Sequence, residues 1–113
     1  KKKAAENIMR QIALGQSEYY SENSIYLTET GTTCNPTNKT SNEIESELLG
    51  DAKVIIDPNS KKNPKEATSG YVMCVADHSS GYLIYAAEQE DTQNGCNMSL
   101  YADSTFKRDE NKC

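Results

Sequence analysis

The first part of the chain repeats its apolar residues with the period of an α-helix. From the opening lysines to the pair Tyr19-Tyr20, apolar side chains recur at steps of three and four, with Gly15 in the same series, and they are Ala5, Ile8, Met9, Ile12 and Tyr19. This spacing places them on one face of a helix. The pattern predicts an amphipathic helix of about 22 residues, or about 33 Å at 1.5 Å per residue.

The predicted helix begins without a favourable N-terminus. Lys1–Lys3 open the chain, and no Ser, Thr, Asp or Asn precedes them as a cap. Positive charge in the first turn opposes the helix macrodipole, by roughly 0.3–1 kcal/mol per charge. We therefore expect this segment to be the lower half of a longer helix that starts upstream of Lys1.

The next part of the chain is polar and contains one predicted helix. Residues 23–40 are rich in Thr and Asn and read as a loop. The run from Thr40 to Glu43 fits a capping box, in which each of these two side chains bonds to a backbone N–H of the first turn. We expect a short helix from there to Leu49, ended by Gly50 in a left-handed turn.

A short edge strand and a loop are predicted after this helix. Ala52–Ile56 is a brief run rich in β-branched residues, and Asp57-Pro58 ends it because proline cannot donate a hydrogen bond to a sheet. Residues 57–68 are polar and rich in turn-forming residues, so we expect a loop there.

The clearest strands follow. Gly70–Ala76 and Gly81–Ala87 are apolar runs with β-branched and aromatic residues, and residues 77–80 between them are typical of a turn. The pair predicts an antiparallel hairpin. Cys96–Ala102 alternates as a third strand, and the charged tail Asp103–Lys112 is expected to be irregular.

These elements predict an α+β fold in which a long N-terminal α-helix packs on a three- to four-stranded antiparallel β-meander. A chain of 113 residues favours one domain, spanning 1–113. Its predicted parts are the helix at 1–22, a connecting region at 27–68, the sheet at 69–103 and a C-terminal loop at 96–113.

Composition narrows the class of protein. Hydrophobic residues make up 35% of the chain, Trp is absent and seven Tyr supply most of the aromatic mass, so the core will be thin. The net charge of −5 argues against a nucleic-acid binder, which usually carries a basic excess. No apolar run approaches the roughly 18 residues of a membrane span.

The four cysteines favour two disulfides. They stand at positions 34, 74, 96 and 113, without the closely spaced pairs of a zinc site, and the chain has one histidine. Disulfides in a short chain indicate an oxidising compartment. Of the three possible connectivities, Cys34–Cys74 with Cys96–Cys113 is favoured because each bond joins a loose segment to a strand. The Cys96–Cys113 bond would close a loop at the end of the chain, and this closure would stabilise the fold by roughly 3 kcal/mol.

Residues with catalytic or metal-binding chemistry have simpler explanations here. His78 is flanked by Asp77, Ser79 and Ser80, but sequence neighbours rarely meet in the geometry of a catalytic triad, and all are common turn residues. The acidic run Glu88–Asp91 lacks the spacing of an EF-hand calcium loop. We predict no catalytic residue, no metal ligand and no cofactor.

Cationic side chains offer a candidate DNA contact. Acidic neighbours dilute each group of cations, so DNA binding is not the favoured interpretation. The candidate residues are Lys61, Lys62, Lys65, Lys107 and Arg108.

Two stretches of the chain carry a resemblance to a known family. The helical segment ends in the pattern Q-x-x-Y-Y-x-x-N-x-x-Y, which falls on Gln16, Tyr19, Tyr20, Asn23 and Tyr26. Residues 81–113 give a Tyr-led strand, a loop, a Cys, a strand with Leu then Asp, and a terminal Cys. Together these resemble type IV pilins, and most of all the PilE-like minor pilins, without their hydrophobic N-terminal half-helix. The chain departs from the family at Ser104-Thr105, where many relatives have Gly.

The resemblance implies a non-enzymatic structural subunit of a bacterial type IV pilus, with other pilin subunits as partners. It implies residence on the cell surface in an extracellular filament, after anchoring in the inner membrane through the upstream helix. Roles in filament assembly, adhesion, twitching motility and DNA uptake follow from it. Residues 27–68 correspond to the variable region of such proteins. Two alternatives stay open: a DNA-binding competence pilin, and a type II secretion pseudopilin.

Overall fold

The computed structural model describes residues 1–113 as two helices and one antiparallel sheet. The elements are α1 (Lys2–Asn23), α2 (Asn38–Leu48), β1 (Tyr71–His78), β2 (Gly81–Glu88), β3 (Asn97–Tyr101) and β4 (Phe106–Arg108). The strands lie in the order β1-β2-β3-β4. The α+β class, with a long N-terminal helix on an antiparallel meander, is confirmed.

Helix α1 buries the face that its apolar period predicts. Six of its residues are buried, and they are Ala5, Ile8, Met9, Ile12, Gly15 and Gln16. No side chain caps its N-terminus. It ends where Ser24 adopts a left-handed conformation (φ 62°) and donates its N–H to the carbonyl of Tyr20. Neither helix combines the length and the apolar content that crossing a bilayer requires.

The two helices meet at Gly15. A Cβ built on this residue would lie 2.2 Å from the carbonyl oxygen of Leu48, the last residue of α2. Only glycine therefore allows this approach of the two backbones. α1 packs on β2 and β3, and α2 packs on β1, so the helices form one layer over one face of the sheet.

The sheet presents two different faces, which its register defines. On the face under the helices, the row Val75, Ile84, Leu100 and Phe106 runs across all four strands. The first three of these side chains are fully or almost fully buried. The adjacent row Cys74, Tyr85, Ser99 and Lys107 points to the opposite face, because side chains alternate along a strand.

Helix α2 begins three residues earlier than the sequence predicts. Its cap is Thr37, whose hydroxyl accepts a hydrogen bond from Thr40 N (3.1 Å), and Thr40 Oγ1 accepts from Thr37 N (2.9 Å). The predicted box of Thr40 with Glu43 is therefore wrong. Thr40 instead hydrogen-bonds to the cap residue Thr37, and Thr37 also forms an isolated β-bridge with Met73 of β1. The predicted left-handed Gly50 is confirmed, with φ 59°.

The predicted edge strand at Ala52–Ile56 does not form. This segment makes one isolated bridge, between Ile56 and Ala67. The N–H groups of Ile55 and Ile56 donate to the Glu45 carboxylate of α2 (2.9 and 3.2 Å). A buried side chain thus takes the place of a neighbouring strand.

The hairpin is confirmed and is longer than predicted. β1 continues to His78, so a two-residue turn, Ser79-Ser80, links it to β2. Gly81 has φ 130°, and a Cβ there would lie 2.8 Å from Cε2 of Tyr26. The segment after α1 therefore packs closely against this end of the hairpin.

The C-terminal tail is not wholly irregular, contrary to expectation. Phe106–Arg108 forms β4, which pairs with β3 and places Phe106 opposite Leu100. The connecting turn has Ser104 in a left-handed conformation, with φ 74°. One aromatic residue at the core edge thus gives the charged tail enough apolar contact to join the sheet.

Both disulfides of the favoured connectivity are present. Cys34 bonds to Cys74 in β1, and Cys96, which precedes β3, bonds to Cys113 at the end of the chain. No cysteine is free. One bond fastens the segment after α1 to the sheet, and the other fastens the C-terminal segment to it.

Candidate functional site

The outer edge of β1 is closed by the chain itself. Glu29 N donates to the carbonyl of Val75 (2.8 Å), and Asp77 N donates to the carbonyl of Gly31 (2.9 Å). Met73 N donates to Ser41 Oγ (3.0 Å), a buried hydroxyl of α2. An open edge strand is a template for pairing with another chain, and these bonds remove it. A partner of this region must therefore bind through side chains.

The opposite edge, β4, is short and charged. It has three residues, of which Lys107 and Arg108 are exposed. Short length and charge are two ways in which natural edge strands avoid pairing with other sheets. Neither edge of the sheet thus offers a strand-addition site.

A concave surface lies between α2 and the segment that follows α1. It has a volume of about 640 Å³, and its apolar floor is formed by Leu27, Ile44 and Val75. Leu27 is held there by Gln16, a fully buried side chain of α1 that exchanges two hydrogen bonds with its backbone. We call this surface the α2 groove.

The rim of the α2 groove is acidic. Glu29 lies on one side and Glu43 and Glu47 lie on α2, with Lys39 as the one cation. The side chains of these three glutamates form no hydrogen bond or ion pair with the rest of the chain. Glu43 and Glu47 are four residues apart on a helix, so they stand side by side on its exposed face.

A second candidate surface lies on the outer side of α1 and just beyond its end. Leu14 (66% exposed), Tyr20 (48%) and Ile25 (62%) are the large hydrophobic side chains that solvent reaches most. Tyr20 stacks on Tyr26 at a centroid distance of 4.6 Å, and Tyr26 meets Tyr82 edge-on at 4.9 Å. This aromatic row links the exposed surface to the core.

The polar residues around His78 do not form a catalytic arrangement. His78 Nδ1 lies 2.7 Å from Ser80 Oγ, and its ring packs edge-on against Tyr101. The Asp77 carboxylate accepts from Thr28 Oγ1 (2.6 Å) instead of orienting the imidazole. These side chains stabilise the turn and the edge of the sheet.

The acidic loop after β2 uses its carboxylates for its own backbone. Glu88 Oε1 accepts from Cys96 N (2.7 Å), and Asp91 Oδ1 accepts from Asn94 N (2.9 Å). The one set of three ligand-type atoms lying within 4.8 Å of one another belongs to Glu29, Cys34 and Cys74. Its two sulfurs are joined in a disulfide, so they are not thiolate ligands.

The five candidate DNA contacts fall into two separate groups. Lys61, Lys62 and Lys65 lie in the loop that precedes β1, whereas Lys107 and Arg108 lie on β4, at the opposite edge of the sheet from β1.

Several of these cations already have partners within the chain. Lys62 pairs with Glu66 and Arg108 pairs with Glu110, each at 3.5 Å. Lys107 lies over the Tyr101 ring. The structure therefore does not assemble one basic surface from the five residues.

Two ionisable groups near the outer face of the sheet have shifted pKa values. Burial, and to a smaller extent the Asp109 charge, raises the pKa of Tyr85. The pKa of the exposed Asp103 carboxyl is lowered, first by the backbone N–H of Thr105, which donates to it at 3.0 Å. The Thr105 side chain adds to this effect. The Tyr85 shift follows from local packing, and the Asp103 shift follows from the hydrogen bonds of its turn.

The α2 groove was not anticipated from the sequence. The sequence offered only the spacing of Glu43 and Glu47, which stand four residues apart on the predicted helix with the apolar Ile44 between them. The approach of Glu29 had no such signal, because it depends on the bond between Gln16 and Leu27.

Comparison with known proteins finds no family model that matches the chain, and no curated protein or solved structure that is significantly similar to it.

Proposed function

We propose that this chain is a structural subunit of a type IV pilus, of the minor pilin kind. Three features support the proposal. A long N-terminal helix packs by one face on an antiparallel meander. A disulfide links Cys96, which immediately precedes β3, to the last residue, Cys113. Tyr20 and Tyr26, which both belong to the tyrosine pattern at the end of α1, contact each other in the aromatic row. These are the features in which the sequence resembles pilins.

The observation that carries the proposal is the exposed outer side of α1. Leu14 lies on the side of the helix that faces away from its buried stripe, Tyr20 is exposed in the last turn of the helix, and Ile25 is exposed just beyond its end. Full burial of a leucine is worth roughly 1.5–3 kcal/mol. A filament of packed subunits would cover this surface, whereas a monomer leaves it in water.

The experiment introduces Leu14→Glu into the native gene, in the cells that produce this protein. Surface filaments are sheared from the cells, and the amount of this chain in filaments and in whole cells is measured by immunoblot. We expect Leu14→Glu to lower the filament fraction by about tenfold, since a charge in a packed contact costs more than the lost leucine burial. The whole-cell amount stays unchanged.

Asn59→Glu is the control, because it adds the same charge at an exposed position of the 57–68 loop. It should leave the filament fraction as it is. Equal filament fractions for Leu14→Glu and the wild type, or absence of the wild-type chain from filaments, would contradict the proposal.

A further inference from the structure

We propose that the α2 groove binds a basic segment of another protein chain, in which lysine or arginine side chains accompany aliphatic ones. This inference is independent of the pilin proposal, because it rests on the shape and charge of the groove alone.

The floor of the groove is suited to contact an apolar group of a ligand. Leu27, Ile44 and Val75 come from three different elements and line one cavity of about 640 Å³. This volume lies within the roughly 300–1,000 Å³ of typical ligand sites, so the groove has room for several side chains. Ile44 and Val75 are core residues that are each only 3% exposed, whereas Leu27 is partly exposed, so Leu27 is the floor residue that solvent reaches most.

The rim calls for positive charge. Glu29, Glu43 and Glu47 surround the floor, and Lys39 alone opposes them. Some other carboxylates of this chain are already occupied, as Glu45 and Glu88 are by backbone N–H groups. The rim glutamates have no such partners, so their charge is free to attract a cation.

The spacing of the rim carboxylates selects a peptide over a metal ion. No three carboxylate oxygens of the rim lie within 4.8 Å of one another, so the rim does not form a three-carboxylate cage around a metal ion. Lysine and arginine instead carry their charge at the end of an apolar stem, which lies along hydrophobic surface while the charged end reaches outward. A basic segment therefore satisfies the floor and the rim together.

The experiment is an NMR titration of the labelled protein with a short peptide of alternating lysine and leucine. We expect backbone shifts at Leu27, Ile44 and Val75, and an affinity that weakens as salt is added. The double variant Glu43→Gln with Glu47→Gln should bind about threefold to tenfold more weakly, as expected for the loss of two exposed ion pairs.

The matched control is Glu18→Gln with Glu22→Gln. These two glutamates are also exposed and four residues apart, on α1, and lie outside the groove. The control variant should bind as the wild type does. An acidic peptide of glutamate and leucine should not shift the groove residues.

Three results would overturn the inference. One is the absence of peptide-induced shifts at the groove. Another is an equal loss of affinity in the two double variants, which would indicate a general charge effect. The third is a set of groove shifts that depends on protein concentration without peptide, which would make a second copy of this chain the occupant.

Discussion

Gln16 and Leu27 are joined by a pair of hydrogen bonds between a side chain and a backbone. The Gln16 Nε2 group donates to the Leu27 carbonyl (2.7 Å), and Leu27 N donates to Gln16 Oε1 (2.9 Å). The Gln16 side-chain amide therefore pairs with the backbone of Leu27 as a neighbouring strand would. This pair turns the chain back along α1, and it sets the position of Leu27 in the groove.

Replacing Gln16 with Ala should lower the free energy of unfolding by about 3 kcal/mol. The substitution removes both bonds, leaves two half-buried backbone groups of Leu27 without partners and opens a small cavity. Urea denaturation measures the change. Gln11→Ala is the control, because Gln11 is exposed on the same helix and its side chain makes no hydrogen bond; its effect should stay within about 0.5 kcal/mol. A similar loss in the two variants would contradict this role.

Gly15→Ala should destabilise the protein by about 2 kcal/mol, although alanine is the better helix former by roughly 1 kcal/mol. The new methyl group would meet the Leu48 carbonyl at 2.2 Å, so the helices must separate. Ser17→Ala, at an exposed position of α1, should instead stabilise by a few tenths of a kcal/mol. Thermal unfolding followed by circular dichroism compares them. A stabilised Gly15→Ala variant would show that the helices do not touch here.

Ser104→Gly should stabilise the protein by roughly 0.5–1 kcal/mol. Ser104 has φ 74° in the turn between β3 and β4, and a left-handed conformation costs a non-glycine residue roughly 1–2 kcal/mol. The greater flexibility of unfolded glycine offsets part of that gain. Ser79→Gly in the hairpin turn is the control, since Ser79 does not have a positive φ, and it should not stabilise. Equal effects at the two positions would rule out strain at Ser104.

Alkaline pH should weaken the fold through three tyrosines. Burial is the largest cause that raises the pKa values of Tyr71, Tyr82 and Tyr85. In the unfolded chain a tyrosine titrates near pH 10, so above that pH the unfolded state loses protons first. The stabilising effect is complete below about pH 10 and is lost as pH rises through the folded pKa values.

Denaturation at a series of pH values, together with NMR titration of the tyrosine rings, tests this effect. Unfolding free energies that stay constant above pH 10 would contradict it. So would tyrosine rings that all ionise at or below pH 10.

Local patterns in the sequence were sufficient for the long helix and the hairpin. The stripe from Ala5 to Ile12 repeats often enough to define one face of α1. The two apolar runs around Ser79-Ser80 are long and differ clearly from their polar surroundings. In such segments, burial and local preference favour the same structure.

The predictions that failed depend on contacts between distant residues. Ala52–Ile56 has the composition of a strand, yet its N–H groups bond to Glu45, whose burial nothing local reveals. Thr37 and Thr40 were both suitable caps for α2, and the actual cap is Thr37, the one that forms a bridge with the distant residue Met73. β4 forms because Phe106 lies opposite Leu100, which the charged neighbours of Phe106 concealed.

The candidate site was even less visible from the sequence. The α2 groove combines residues from the segment after α1, from α2 and from β1, and no stretch of the chain contains its pattern. The cationic residues are divided for the same reason, because Lys61 lies in the loop before β1, whereas β4 is the strand at the opposite edge of the sheet from β1.

The most direct test of the pilin proposal is immunogold electron microscopy of intact cells that make this protein, with antibodies raised against the folded chain. We expect gold particles along thin surface filaments, and their disappearance from the filaments of cells in which the gene is deleted. Filaments that carry no label, in cells whose extracts contain the protein, would contradict the proposal.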